Sequence, residues 1–205
     1  MKRVSAYQWM LIIVAGFMLW SGYRPKDYPT WFFEIVLGFT GIIVLVLTKK
    51  KFQFSDLVYL WVGVHFAVLA VGGKYTYGEM PLFNWLRDTF HLSRNHFDRL
   101  GHFFQGFVPA LIARELILRK SKMERGFLLN FLCVCFCLAF SAFYEILEWQ
   151  VVVWCYPTSG PEWLGWQGDI WDAQGDMLMA LIGSSLAMIF LSRLHDKSIQ
   201  KLTTK

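Results

Sequence analysis

The chain has 205 residues, of which 56% are hydrophobic and 18% aromatic. Soluble domains average about 45–50% apolar residues, and here the excess is gathered in long blocks. This composition leaves no room for a sizeable soluble domain and predicts a single integral membrane domain over residues 1–205. The net charge of +5 does not indicate nucleic-acid binding, because the basic residues lie in short clusters between apolar blocks, as topology signals do.

Six apolar blocks approach or reach the length of about 17–25 residues that a membrane-spanning helix requires. They predict an all-α, polytopic bundle of about six spans, since no alternating strand pattern of a β-barrel occurs. The first block could instead be a cleaved signal peptide, although no small-residue cleavage site follows it. The predicted spans cover residues 4–20, 31–47, 54–71, 97–118, 126–149 and 173–191.

The distribution of lysine and arginine predicts the orientation of these spans. Thirteen basic residues fall on the side of the two termini and only five on the opposite side. Because cytoplasmic loops carry the excess of Lys and Arg, we expect both termini in the cytoplasm of a bacterium, with the chain in its inner membrane.

The sequence also predicts the positions of several other segments and residues. Apolar residues at helical spacing after Pro81 predict a short amphipathic helix on the outer membrane surface. Arg114 and Glu115, near the inner end of the fourth span, are expected to reach the membrane surface by snorkelling. His195 is expected to be solvated, and the polar tail from Ser192 to Lys205 is expected to fray.

The fourth, fifth and sixth spans each carry polar residues at the end that the predicted topology places outside. Ionisable side chains inside spans are energetically costly and by default indicate function. Spacings of three and four residues put each set on one helical face. The sets are Asp98, His102 and Gln105 in the fourth span, Ser141, Glu145 and Glu148 in the fifth, and Asp169, Asp172 and Asp176 in the sixth.

Six of these residues are carboxylates, which against Arg99 give the layer a formal charge of about −5 (six acidic, one basic). A low-dielectric layer cannot keep such a charge without compensation. A bound divalent cation, carboxylates that share protons, or a wet open cavity would each provide it. Carboxylate oxygens together with imidazole suit Mg²⁺, Mn²⁺, Ca²⁺ or Zn²⁺.

We therefore predict roles for ten residues of this layer. The alternative is that some of them only cap helices or join them by hydrogen bonds, a role that suits Asp169 and Asp172 near a helix N-terminus. The predicted metal ligands are Asp98, His102, Glu145 and Asp176; the acid–base candidates are Glu148 and Asp172; and His96, Arg99, Gln105 and Asp169 would line the site.

Three stretches with these residues resemble the YjdF family of bacterial inner-membrane proteins. They are His96 to Gly106, Tyr144 to Trp149 and Asp169 to Met177, and the resemblance extends over nearly the whole chain. It implies an inner-membrane protein but no particular reaction.

The last three spans also resemble, more distantly, the VanZ-like membrane family. Asp98-Arg99-Leu-Gly-His102 matches that family's Asp-(Lys/Arg)-x-x-His helix start, and Asp176 stands where Asn is usual in a later helix. The departure adds a charge, which makes metal or proton binding more plausible here. This resemblance implies work on the cell envelope.

Three functions remain open from the sequence. The first is an outward-facing intramembrane site that binds or processes an envelope lipid or lipid-linked sugar, with a metal polarising a phosphate or ester oxygen. The second is a non-catalytic scaffold in which the cluster ties three helices together. The third is a proton- or cation-coupled transporter, against which the absence of an inverted repeat and of a polar stripe towards the cytoplasm counts.

Overall fold

The computed structural model describes residues 4–155 and 164–203. Throughout these ranges the regular structure is helical and contains no strand, which confirms the all-α prediction. The helices are α1 (Ala6–Gly22), α2 (Tyr28–Thr48), α3 (Asp56–Tyr75), α4 (Pro81–Phe90), α5 (Phe97–Lys120), α6 (Phe127–Cys155), α7 (Asp172–Leu186) and α8 (Ser192–Thr203), with a 3₁₀ turn at Trp166–Gly168 and a π turn at Ala187–Leu191.

Each predicted span falls on a helix, and four helices are long and apolar enough to cross a membrane. These are α2, α3, α6 and the continuous helical stretch Asp172–Leu202. The first helix is apolar but shorter, and α5 has the length but carries polar residues over much of it. Large apolar side chains are exposed along these helices, among them Leu47 and Phe127. Such contiguous apolar surface is expected of a protein whose solvent is lipid.

Local sequence explains where the first two helices begin. The Ser5 hydroxyl accepts a hydrogen bond from the Gln8 amide, and the Gln8 side chain accepts one from the Ser5 amide, which forms a capping box before α1. The Asp27 carboxylate accepts the Thr30 amide at 2.8 Å, and Pro29 follows in the first turn of α2. The hydrogen bond from Thr30 lowers the pKa of the Asp27 carboxyl.

The chain divides into two compact units, Met1–Gly101 with Leu191–Lys205, and His102–Phe190. In the first unit α3 is the central helix, with α1 and α2 packed against it. Gly63 of α3 faces α1, since a side-chain carbon at this position would be in ordinary van der Waals contact with the Met10 Cα atom, 3.6 Å away. The assignment of residues 1–205 to one membrane domain stays a prediction.

The C-terminal helix contradicts two of the predictions. Residues 192–203 form α8, which packs against α3, so the prediction of a frayed tail is wrong for this range. His195 is fully buried rather than solvated, and Ile199 is 5% exposed. The Ser198 hydroxyl accepts the Leu57 amide at 3.2 Å, and so it satisfies a free N–H group at the start of α3. Burial of one side of α8 offsets the conformational entropy that this polar segment loses when it becomes ordered.

The loop between α3 and α5 confirms another prediction. The segment after Pro81 forms the amphipathic helix α4, on which Leu82, Trp85 and Phe90 are all more than half exposed. Phe83, on α4, packs its ring edge-on against Phe97 of the same unit, with centroids 5.3 Å apart. Its place on the membrane surface stays a prediction.

Candidate functional site

The second unit brings α5 and α7 into backbone contact through two glycines. A side-chain carbon at Gly106 would overlap the carbonyl group of Ala180, and one at Gly183 would overlap the carbonyl oxygen of Phe103. Small residues at helix interfaces allow this approach. Residues one turn earlier on both helices then become neighbours, and these are His102 and Asp176.

The two helices run in the same direction at this contact. His102 faces Asp176 and, four residues later on each helix, Gly106 faces Ala180. Parallel neighbours need a connection that returns the chain to the starting end, and α6, which also packs on α7, lies between them in sequence. The same arrangement places Glu145, in the C-terminal half of α6, beside His102.

The imidazole of His102 lies between two carboxylates. Its Nδ1 atom is 3.7 Å from Glu145 Oε1, and its Nε2 atom is 3.6 Å from Asp176 Oδ1. The three side chains are only 12%, 9% and 5% exposed. Both separations exceed the 2.7–3.2 Å of an ordinary hydrogen bond. Thus three of the ten predicted site residues meet, each from a different helix.

Two further polar groups near this centre are buried without a hydrogen bond to any described residue. Ser141 is fully buried one turn before Glu145 on the same face of α6, and its hydroxyl oxygen is unpartnered. The amide oxygen of Gln105, three residues after His102, is likewise buried and unpartnered. Buried polar groups are nearly always satisfied, and exceptions call for an explanation such as an ion, a water or a bound molecule.

Tyr144 is a neighbour of the site for which the sequence predicted no role. Its ring packs edge-on against the His102 imidazole, with centroids 5.9 Å apart. It precedes Glu145 directly, so α6 contributes both a carboxylate and an aromatic wall around the imidazole. The helical spacing of α6 selects Ser141, Glu145 and Glu148, and Tyr144 borders that face, about 100° from Glu145 but only about 40° from Glu148.

Asp98 lies in the first unit, where it pairs with Arg94. Its Oδ2 atom lies 3.3 Å from the Arg94 guanidinium, and both side chains are largely buried. Arg94 therefore offsets a charge that the sequence-based sum for this layer left uncompensated. Asp98 lies one turn before His102 on α5, and its role as a metal ligand stays a prediction.

The segment before α5 is fixed by Asn95, a fully buried residue that the sequence analysis missed. Its amide group donates to the Met80 carbonyl at 3.1 Å and to Asn84 Oδ1 at 2.8 Å, and its side-chain oxygen accepts the Phe97 amide at 3.0 Å. Asn95 therefore joins α4 to the start of α5. An asparagine just before a polar helix start is a sequence signal that could have found it.

The remaining predicted residues lie next to or within α5, α6 and α7. Asp169 Oδ1 accepts the Trp171 amide at 3.0 Å, so Asp169 stabilises the start of α7. Asp172 is the first residue of α7 and is 8% exposed, where the helix dipole favours a negative charge. Glu148, His96 and Arg99 are partly buried. The catalytic roles of Glu148 and Asp172 stay predictions.

A second polar cluster, the deep cluster around Arg114 and Glu115, lies further along α5 in the same unit. It contradicts the prediction that these two residues snorkel. Arg114 and Glu115 are 2% and 0% exposed, so they do not snorkel to the membrane surface. Arg114 Nε donates to Asn130 Oδ1 at 3.2 Å, and Arg119 pairs with Glu115 at 2.6 Å. Compensation by partners makes their burial possible. The prediction that Arg114 and Glu115 snorkel is therefore wrong.

The comparisons with known proteins agree with the helical, apolar character of the chain. Residues 6–197 match the model of a family described as a predicted membrane protein, DUF2238. The chain is 36% identical over 184 residues to the inner membrane protein YjdF of Escherichia coli (strain K12), which covers 90% of this chain and 88% of that protein. No solved structure matches it significantly. The chain therefore belongs to the DUF2238 family, which includes YjdF, and is an integral membrane protein.

Proposed function

We propose that this protein is a multi-pass inner-membrane protein whose second unit holds a divalent cation between α5, α6 and α7 and uses it to bind or process an envelope lipid or lipid-linked substrate. The observation that carries the proposal is the imidazole of His102 between the carboxylates of Glu145 and Asp176. Two carboxylates and one imidazole in a nearly dry setting carry a negative charge whose burial is costly, and a cation removes that cost.

The distances favour coordination over direct hydrogen bonds. Two ligands that share a tetrahedral ion at about 2.0–2.1 Å lie roughly 3.4 Å apart. The 3.6 Å between His102 Nε2 and Asp176 Oδ1 is close to that value. The two nitrogens of one imidazole diverge, so only one of them can bind the same ion. We assign Nε2 of His102 and the carboxylate of Asp176 as ligands.

Glu145 then takes a supporting role rather than the ligand role that the sequence predicted. It lies on the Nδ1 side of His102, where a carboxylate accepts the N–H of a metal-bound imidazole and fixes its orientation. The unpartnered hydroxyl of Ser141 and amide oxygen of Gln105 provide positions for a metal-bound water or a substrate oxygen. Glu148 and Asp172, one turn away on α6 and α7, remain the acid–base candidates.

The substrate class follows from the predicted topology. With six spans and both termini in the cytoplasm, the site would lie near the outer surface of the inner membrane, where envelope lipids and lipid-linked sugars are exposed. A divalent cation there would polarise a phosphate or ester oxygen. The parallel direction of α5 and α7, with α6 between them in sequence, supports a topology in which the three helices cross the membrane in alternating directions.

Metal content tests the site. We expect near-stoichiometric metal, measured by elemental analysis of protein purified in detergent without chelator, and its loss in His102→Ala and Asp176→Asn. Glu145→Gln should retain metal with roughly 10–100-fold weaker affinity, as supporting ligand partners do. Glu124→Gln, which removes an exposed carboxylate from the loop after α5, is the control. Metal-free wild-type protein would contradict the proposal and favour the scaffold function.

Topology is tested separately with reporter fusions. A green fluorescent protein fused after the last residue should fluoresce, because it folds in the cytoplasm. Alkaline phosphatase fused after Gly78, between α3 and α4, should be active because that loop is predicted to lie outside. Inactive phosphatase at this position would contradict the orientation and, with it, the placement of the site.

One observation favours cation transport as a second candidate function. Polar or thiol side chains recur at three- and four-residue spacing along one face of α6, from the deep Arg114 cluster to the His102 centre. Three of these, Cys133, Cys137 and Ser141, are fully buried, and Asn130 and Glu145 stand at the two ends. Uptake of a divalent cation into proteoliposomes, lost in Ser141→Leu but kept in Ser141→Ala, would support transport; binding without uptake would exclude it.

A further inference from the structure

The exposed side of α8 carries a row of basic residues that the proposed site does not use. Arg193, Lys197 and Lys201 are spaced by four residues and are all exposed, so they form one stripe along the helix. None of the three forms an ion pair with a described residue. A row of like charges at this spacing destabilises an isolated helix, so a negatively charged partner at the stripe would stabilise α8.

The stripe is held in a fixed position by the opposite side of α8. His195 is fully buried and Ile199 is 5% exposed, and the Ser198 hydroxyl accepts the Leu57 amide at the start of α3. The charged residues are therefore not on a loose tail. They lie on a helix docked against the start of α3, a helix long and apolar enough to cross a membrane.

A second basic group precedes the same end of α3. Lys49, Lys50 and Lys51 occupy the turn between α2 and α3. The Lys49 ammonium lies 3.5 Å from the centroid of the Tyr7 ring, and Tyr7 packs against Tyr59 of α3. This cation–π contact holds the turn close to the first turn of α3, to which α8 is also bonded. Lys50 and Lys51 are exposed and form no ion pair with a described residue.

The two groups together form what we term the basic surface, made of the α8 stripe and the Lys49–Lys51 turn. It has six basic residues, and the acidic residues in or next to its segments are Asp196 in α8 and Asp56 at the start of α3, which leaves a formal charge of +4. The exposed side chain of Leu194 borders the stripe and provides an apolar contact. Four to eight basic residues immediately beside a membrane helix are the pattern that attracts anionic lipid headgroups.

We propose that the basic surface binds the phosphate headgroups of anionic phospholipids in the leaflet beside it. The lysine and arginine heads reach the headgroup phosphates while their aliphatic stems lie along α8. Charge complementarity selects an anionic lipid over a zwitterionic one. The inference concerns the first unit alone and is independent of the metal site proposed for the second.

The experiment is a lipid titration of the full-length protein in detergent, followed by native mass spectrometry. Phosphatidylglycerol and phosphatidylcholine with the same acyl chains serve as probes. We expect a clear preference for phosphatidylglycerol that falls as salt is raised. The variant Arg193→Gln, Lys197→Gln, Lys201→Gln should bind phosphatidylglycerol at least about tenfold more weakly, since each basic residue contributes severalfold near an anionic surface.

Two control variants separate the basic surface from net charge and from folding. The charge-preserving variant Arg193→Lys, Lys197→Arg, Lys201→Arg should bind like wild type. Lys120→Gln, Lys122→Gln, Arg125→Gln removes the same charge between α5 and α6 and should also retain the preference. Undiminished binding by the α8 glutamine variant would overturn the proposal. Equal loss in the α5–α6 variant would overturn it too, because net charge alone would then explain binding.

Discussion

Gly106 of α5 lies against the backbone carbonyl of Ala180 of α7, so that even a methyl group at position 106 would overlap that carbonyl. The contact sets the distance between the two helices one turn away from His102 and Asp176. Gly106 and Ala180 have no polar side-chain group, yet their contact determines whether the candidate ligands can share an ion. The arrangement links a packing feature directly to the proposed metal site.

Gly106→Ala should separate α5 from α7. We expect it to lower the stability of the protein by about 1–3 kcal/mol, the usual cost of overpacking, and to weaken metal binding. Thermal unfolding in detergent and elemental analysis would measure both effects. Gly41→Ala in α2 is the matched control, because no atom lies within 4 Å of the added carbon and alanine favours helix. Equal effects of the two variants would rule out the close contact.

Glu115 is expected to be a structural residue of the deep cluster. It is fully buried and accepts a charged hydrogen bond from Arg119 at 2.6 Å. Glu115→Ala should destabilise the protein by about 3–5 kcal/mol, since it leaves buried positive charge uncompensated. Glu124→Gln, at an exposed loop position, should leave the midpoint of thermal unfolding unchanged. A Glu115→Ala protein as stable as wild type would contradict this account of the cluster.

Asn95 is expected to contribute more to stability than its partner Asn84. Removal of the Asn95 side chain breaks at least three hydrogen bonds in a fully buried position, whereas removal of Asn84 breaks one of these three. Asn95→Ala should therefore cost at least about 2 kcal/mol, with a smaller loss in Asn84→Ala. Chemical or thermal unfolding of both variants gives the ranking, and the reverse order would show that Asn95 does not join α4 to α5.

The Asp27 cap should make stability depend on pH in the acidic range. The hydrogen bond from Thr30 lowers the pKa of Asp27 in the folded protein, so its stabilising contribution is present above the unfolded pKa and is lost as pH falls through the folded pKa. Asp27→Asn keeps a capping oxygen but does not titrate. The stability advantage of wild type over this variant should therefore shrink between neutral pH and about pH 3. An advantage that grows on acidification would contradict the lowered pKa.

Much of the fold was predictable because its signals are local. Long apolar blocks between charged clusters identified the membrane helices, and the amphipathic spacing after Pro81 identified α4. The same periodicity placed His102, Glu145 and Asp176 on the faces where they meet. The distant VanZ-like resemblance, the number of spans and their orientation stay predictions.

The sequence by itself determined that this is a helical membrane protein with an unusual supply of carboxylates, because hydropathy and helical period are properties of neighbouring residues. Only the tertiary structure decided which polar residues meet. Helix rotation and the glycine contact brought together His102, Glu145 and Asp176. The structure also showed that Asp98 pairs with Arg94 and that Asp169 accepts the Trp171 amide just before α7. Likewise, Arg114 and His195 are buried because distant segments pack around them, and no local pattern contains that information.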